Sequence, residues 1–124
     1  MAAYMSDYAL DALVEKIREA TKLHICSALP ATYAEASSDY MLGTKDTPTM
    51  GAVSDRTGGG RKTTVSAITD GAVNPGADTA AFWALVDHAN SRLLAAGELT
   101  NDQLVVNGNT FTLAAFDVGV ADAT

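Results

Sequence analysis

The sequence has 124 residues, 48 % of them hydrophobic but only 6 % aromatic, with a formal net charge of −7. That length suits one domain around a thin aliphatic core. A lone cysteine, Cys26, excludes an intrachain disulfide, and the acidic balance argues against nucleic acid or anionic membrane as partner.

Almost all of the net charge lies late in the chain. Up to Lys62 seven basic residues face eight acidic ones, whereas beyond it Arg92 is the sole base among seven acids. A solvated acidic face is the plain reading of that asymmetry. The opening "MAAYMSDYALDALVEK" carries acids early and lacks a basic start followed by an apolar run. The expectation is a protein without a signal peptide, made in the cytoplasm. No apolar run approaches the roughly 20 residues that cross a bilayer.

The first predicted element is a helix over about 6–21. Ser6 caps it, Asp7 and Asp11 sit near its positive end, and Lys16, Arg18 and Lys22 lie toward its negative end. Leu10, Leu13, Val14 and Ile17 recur at helical spacing and form one apolar stripe. Met5, just before the cap, is placed to staple onto Leu10.

The period then changes to two, and a β body is expected over about 23–119. In "LHICSA", Leu23 and Ile25 share one strand face while His24 and Cys26 share the other. An imidazole beside a thiol suggests a nucleophile, but no third group nearby would orient the imidazole. Two ligands are also too few for a structural zinc site. A half-buried strand face is the better reading. Pro30 ends this strand, and a long loop is expected over about 31–62, with only "DYML" as a short strand inside it.

Within that loop, "DRTGGGRKTT" invites comparison with a phosphate-binding loop. Such a loop needs Gly, four residues, then Gly-Lys-Ser/Thr, so that backbone amides wrap the phosphate. Here Arg56 occupies the first glycine position and Arg61 stands between Gly60 and Lys62. The segment that follows is β-rich and not helical. Gly58, Gly59 and Gly60 therefore read as a hinge, with Arg61 and Lys62 exposed at a strand entrance.

From Thr63 onward, short strands alternate with turns: "TTVSAIT", the wide turn "DGAVNPGAD", "TAAFWALVD", the turn "HANS", "RLLAAGEL", "LVV" and "NTFTLAAF". Asn107-Gly108 suits a type I′ hairpin joining the last two. The class predicted is mainly β: an antiparallel sandwich or barrel with one N-terminal helix and a long loop. The oxygen-rich "DGAVNPGAD" lacks the ligand spacing of an EF-hand. His88 beside Asp87 and Asn90 reads as turn chemistry. No catalytic, cofactor or metal site is assigned. Phe82 and Trp83 face opposite ways in a strand, which fits core packing on both sides. An outward Trp83 would instead dock a neighbour or stack on a sugar.

The run "TAAFWALVDHANSRLLAAGELT", followed by "VVNGNTFTLAAFDVGV", resembles a family of small structural proteins of tailed bacteriophages and prophages. "LHICSALPATYAEA" and "GRKTTVSAITDG" are similar to the front half of that family, so the likeness extends from about Leu23 to Gly119. It implies a virion component, a decoration or cement protein on the capsid surface, with the major capsid protein or other virion proteins as partners. A place at the neck or tail, or a carbohydrate-binding module displayed on the particle, stays open. The expected partner contacts are Tyr4, Met5, Arg56, Arg61, Lys62 and Trp83, with docking sensitive to salt. Self-association through the helix stripe is a further possibility.

Overall fold

A computed structural model describes residues 6–74 and 77–121. Tyr4 and Met5, and with them the staple and the N-terminal contacts, lie outside the described residues.

The helix α1 (Asp7–Ile17) begins where the sequence places it: the Ser6 hydroxyl accepts from the Ala9 amide. It ends about one turn short of expectation. The Arg18 amide donates to the carbonyls of Val14 and Lys16 and closes the helix there. Leu10 and Val14 are fully buried, while Leu13 is half exposed and Tyr8 wholly so. The buried stripe is therefore narrower than the sequence pattern.

Among the described residues nine strands follow, all paired antiparallel: β1 (Lys22–Cys26), β2 (Met41–Asp46), β3 (Ser54–Asp55), β4 (Arg61–Val65), β5 (Ile68–Val73), β6 (Asp78–Asp87), β7 (Arg92–Val105), β8 (Thr110–Leu113) and β9 (Phe116–Val120). Six of them form one curled sheet in the order β7-β6-β1-β2-β5-β8, and β3-β4-β9 form a small second sheet. The fold is thus mainly β and sandwich- or barrel-like.

The two sheets are joined at a corner. β4 runs into β5 through Ser66 and Ala67, and β8 into β9 through Ala114 and Ala115. Since β4 pairs with β9 and β5 with β8, one two-stranded ribbon bends from the small sheet into the large one. The helix α1 packs over β4, β9 and part of β7.

Between the sheets lies the main core. Leu23 and Ile25 of β1 meet Trp83 and Leu85 of β6, Val73 of β5, Phe111 and Leu113 of β8, and Val65 and Val118 of the small sheet. Aromatic rings fit here because glycines clear space for them. A Cβ on Gly71 would strike the Phe111 ring, and one on Gly97 would come within 2.8 Å of Trp83.

The outer side of β1 carries a second, smaller cluster of Cys26, Ala36, Ala84 and Val86, edged by Tyr33, Tyr40, Phe82 and Leu93. Its roof is the excursion between β1 and β2, which includes one π-helical turn, Glu35–Asp39. This roof corrects two expectations. His24 and Cys26 are not half buried but 3 % and 0 % exposed. The segment 31–62 is not one long loop either, since it holds the π-turn, β2, β3 and the start of β4. β2 forms because its alternate residues add a ladder to β1, from Lys22↔Asp46 to Ile25↔Gly43.

Two further corrections concern pairing. "RLLAAGEL" and "LVV" belong to one 14-residue strand, β7, with four residues, Leu99–Asp102, set against Ala81 alone. Asn107-Gly108 does turn the chain, with Gly108 at φ +91°. The strand it delivers, however, pairs with β5 instead of returning along β7. The Val73 amide and carbonyl capture Asn109 and Gly108 across that gap. Among the described residues no helix is long and apolar enough to cross a membrane.

Candidate docking site

The glycine-rich turn is a self-contained device. Gly58, Gly59 and Gly60 all adopt positive φ, from +89° to +104°, conformations costly for other residues. The Arg56 amide donates to the Gly60 carbonyl, and the Arg56 guanidinium donates to Gly59 O at 3.0 Å. A Cβ on Gly60 would strike the Val120 carbonyl, so the third glycine also permits β4 to approach the end of β9.

The cations after this turn are not free at a strand entrance. Arg61 Nε donates to Asp11 at 2.7 Å, and its Nη1 donates to Asp55, with Asp7 at 4.0 Å. The Asp11 and Asp55 carboxylates raise the guanidinium above its ordinary value. Arg61 is thereby a clasp between α1 and the small sheet, with 18 % of its side chain exposed. Lys62 sits 2.9 Å from Asp117. The Thr64 hydroxyl, at 2.6 Å, and then Lys62 hold the Asp117 carboxyl below its usual range. Carboxylates on α1, β3 and β9 thus hold these two cations in surface ion pairs, leaving Arg56 as the exposed cation of the predicted set.

Trp83 is 9 % exposed and lies against Phe116 at a ring separation of 4.9 Å. It is a core residue, with little surface open for stacking on a sugar.

His24 and Cys26 do not form a reactive pair. His24 Nδ1 lies 2.8 Å from Thr44 Oγ1, while its Nε2 has no hydrogen-bond partner among the described residues. Burial pushes the imidazole down to about 4. The same burial pushes the Cys26 thiol up to about 12, and its Sγ rests 3.7 Å from Ala36 O. Both groups are neutral at pH 7, which removes the thiolate that nucleophilic work requires. His88 has the turn role read from sequence: Asn90 donates to Asp87 at 2.7 Å, and Tyr33 Oη meets His88 Nδ1 at 2.8 Å, pinning the roof to the turn. Among the described residues no three His, Cys, Asp or Glu side chains are grouped to hold a metal ion.

The structure does gather one site that sequence reasoning missed. The large sheet curls until its two end strands, β7 and β8, nearly meet, and Gln103 Nε2 donates to Thr112 O across the seam. Beside that strap is an open hollow of about 100 Å³. Trp83, Leu99, Leu113 and Phe116 give it apolar walls, and Glu98 and Gln103 stand among its polar ones. Among the described residues neither Glu98 nor Asp102 has an ion-pair partner, in contrast to Asp11, Asp46, Asp55, Asp70 and Asp117. Nearby on β7 and the turn after it, Leu104 is 80 % and Val106 52 % exposed.

Comparison with protein-family models, curated proteins and solved structures found no match to this chain.

Proposed function

We propose that the protein is a non-enzymatic virion component of a tailed phage, a decoration or cement protein that works by contacts with the major capsid protein or its neighbours. The observation that carries this reading joins sequence and geometry. Two of the stretches that carry the resemblance, 79–100 and 105–120, lie within β6–β9, and these strands supply most of the walls of the seam. These stretches thus also border a hollow with apolar walls and include Glu98, which has no ion-pair partner among the described residues. Repetition of such a contact around a symmetric shell converts modest affinity into durable attachment.

The burial of Trp83 counts against the carbohydrate-binding alternative in the form that rests on that ring. A neck or tail position uses the same contact chemistry and differs only in the partner.

The test is reassembly. Particles produced without this chain are mixed with the purified protein and sedimented. Saturable co-sedimentation with a fixed ratio to the shell protein is the expected result. Recovery of all the protein in the supernatant, at every salt concentration, would remove the reading.

A further inference from the structure

We infer that the β7–β8 seam is the docking groove for an extended segment of a partner polypeptide, one that presents an apolar side chain next to a lysine or arginine. This rests on reading the protein as one that acts through protein contacts, and it names the surface and the chemistry of the partner.

Three features converge on that occupant. Among the described residues β7 and β8 are the end strands of the sheet, so each has one row of backbone donors and acceptors outside the sheet's ladder, with Thr112 O already taken by Gln103. An extended peptide satisfies such rows by strand addition. The hollow, at about 100 Å³, is sized for a single branched aliphatic side chain against Trp83 and Phe116. A small apolar pocket of this kind anchors one residue and leaves the rest of a segment to align along the edge. Charge supplies the third constraint. Glu98 lines the hollow and Asp102 lies on the same strand, both without a cation of their own among the described residues. A cation beside the anchor meets them.

The same charges argue against a second copy of this chain. Two such seams facing each other would bring Glu98 and Asp102 against their own equivalents, and like charges across an interface are costly. The partner segment therefore comes from a different protein.

Trp83 is the chain's one tryptophan and forms part of the hollow, so its emission reports occupancy directly. The probe is an acetylated, amidated octapeptide of alternating leucine and lysine, with a leucine–glutamate octapeptide as its counterpart. The basic peptide is expected to shift Trp83 emission saturably, with affinity falling about tenfold in Glu98→Lys, while the acidic peptide leaves the emission unchanged. Arg56→Glu, on the remote glycine turn, should bind like the parent. Glu98 is exposed, so its replacement leaves the fold intact, and the thermal midpoint checks this. An equal response to both peptides, no response to either, or unchanged affinity in Glu98→Lys overturns the inference. So does a dimer of the parent protein that Glu98→Lys abolishes, since the groove would then belong to a second copy. Co-sedimentation of the Glu98→Lys chain with particles separates the two levels. Full binding to particles with a negative peptide result removes the groove alone, whereas no binding of the parent chain removes the virion reading beneath it.

Discussion

Lowering the pH from 7 to 5 should destabilise this fold by about 2 kcal/mol through one side chain, His24. In the unfolded chain an imidazole titrates near 6.5, and in the fold burial holds His24 at about 4. Its folded value is depressed, so its contribution is present above pH 6.5 and is lost as pH falls toward 4. Each unit in that window is worth about 1.4 kcal/mol, and pH 5 lies about 1.5 units into it. The carboxylates act lower. Asp46 and Asp117 are depressed from an ordinary value of 3.8, so their stabilisation is retained at pH 5 and lost only below about 4. The assay is urea denaturation at pH 7, 6 and 5 on the parent and on His24→Asn, which keeps a partner for the Thr44 hydroxyl but cannot titrate. The variant should start less stable and then change little with pH. A parent whose stability is flat from pH 7 to 5, or a variant with the same acid slope as the parent, would refute the buried, neutral imidazole.

Other consequences are open to equally direct measurement. Cys26 mirrors His24 on the alkaline side: its folded value is raised from 9.0 to about 12, so stability should decline as pH climbs through that interval, and Cys26→Ser should flatten the decline. At neutral pH its thiol should resist a disulfide reagent until denaturant is added, and immediate labelling of the native protein would contradict the roof over the second cluster. Gly71→Ala forces a methyl group into the Phe111 ring and should cost about 1–3 kcal/mol by overpacking, against about 3–5 kcal/mol for Phe111→Ala, both read by urea denaturation. Arg61→Ala should speed amide exchange in α1, and Arg61→Lys should fail to restore protection because an ammonium cannot reach Asp11 and Asp55 as a fork. Unchanged exchange in both would deny the clasp.

What the sequence disclosed followed the reach of its signals. The Ser6 cap and the helical stripe are local, and α1 formed on them. The alternation in "LHICSA" and "TAAFWALVD" marked strands that the structure keeps, with Phe82 and Trp83 on opposite faces as period two requires. The failures concern contacts between distant segments. Nothing near Arg61 announces Asp11, 50 residues earlier, so a paired cation read as a free one. Nothing in "HICS" reports that the π-turn at Glu35–Asp39 will cover it, so burial was underestimated. The turn chemistry of Asn107-Gly108 was recognised, but turn type does not say which strand the chain joins next, and β8 crossed to β5. The seam was invisible for the same reason, because it exists only once the sheet has curled enough to bring Gln103 to Thr112.

The most direct test of the account is to image intact particles from the genome that encodes this chain at side-chain resolution. The account predicts density for this β fold bound to the shell in regular copies, with a neighbouring protein's extended segment in the groove between β7 and β8 and a cation beside Glu98. Particles that contain no copy of the chain would contradict it.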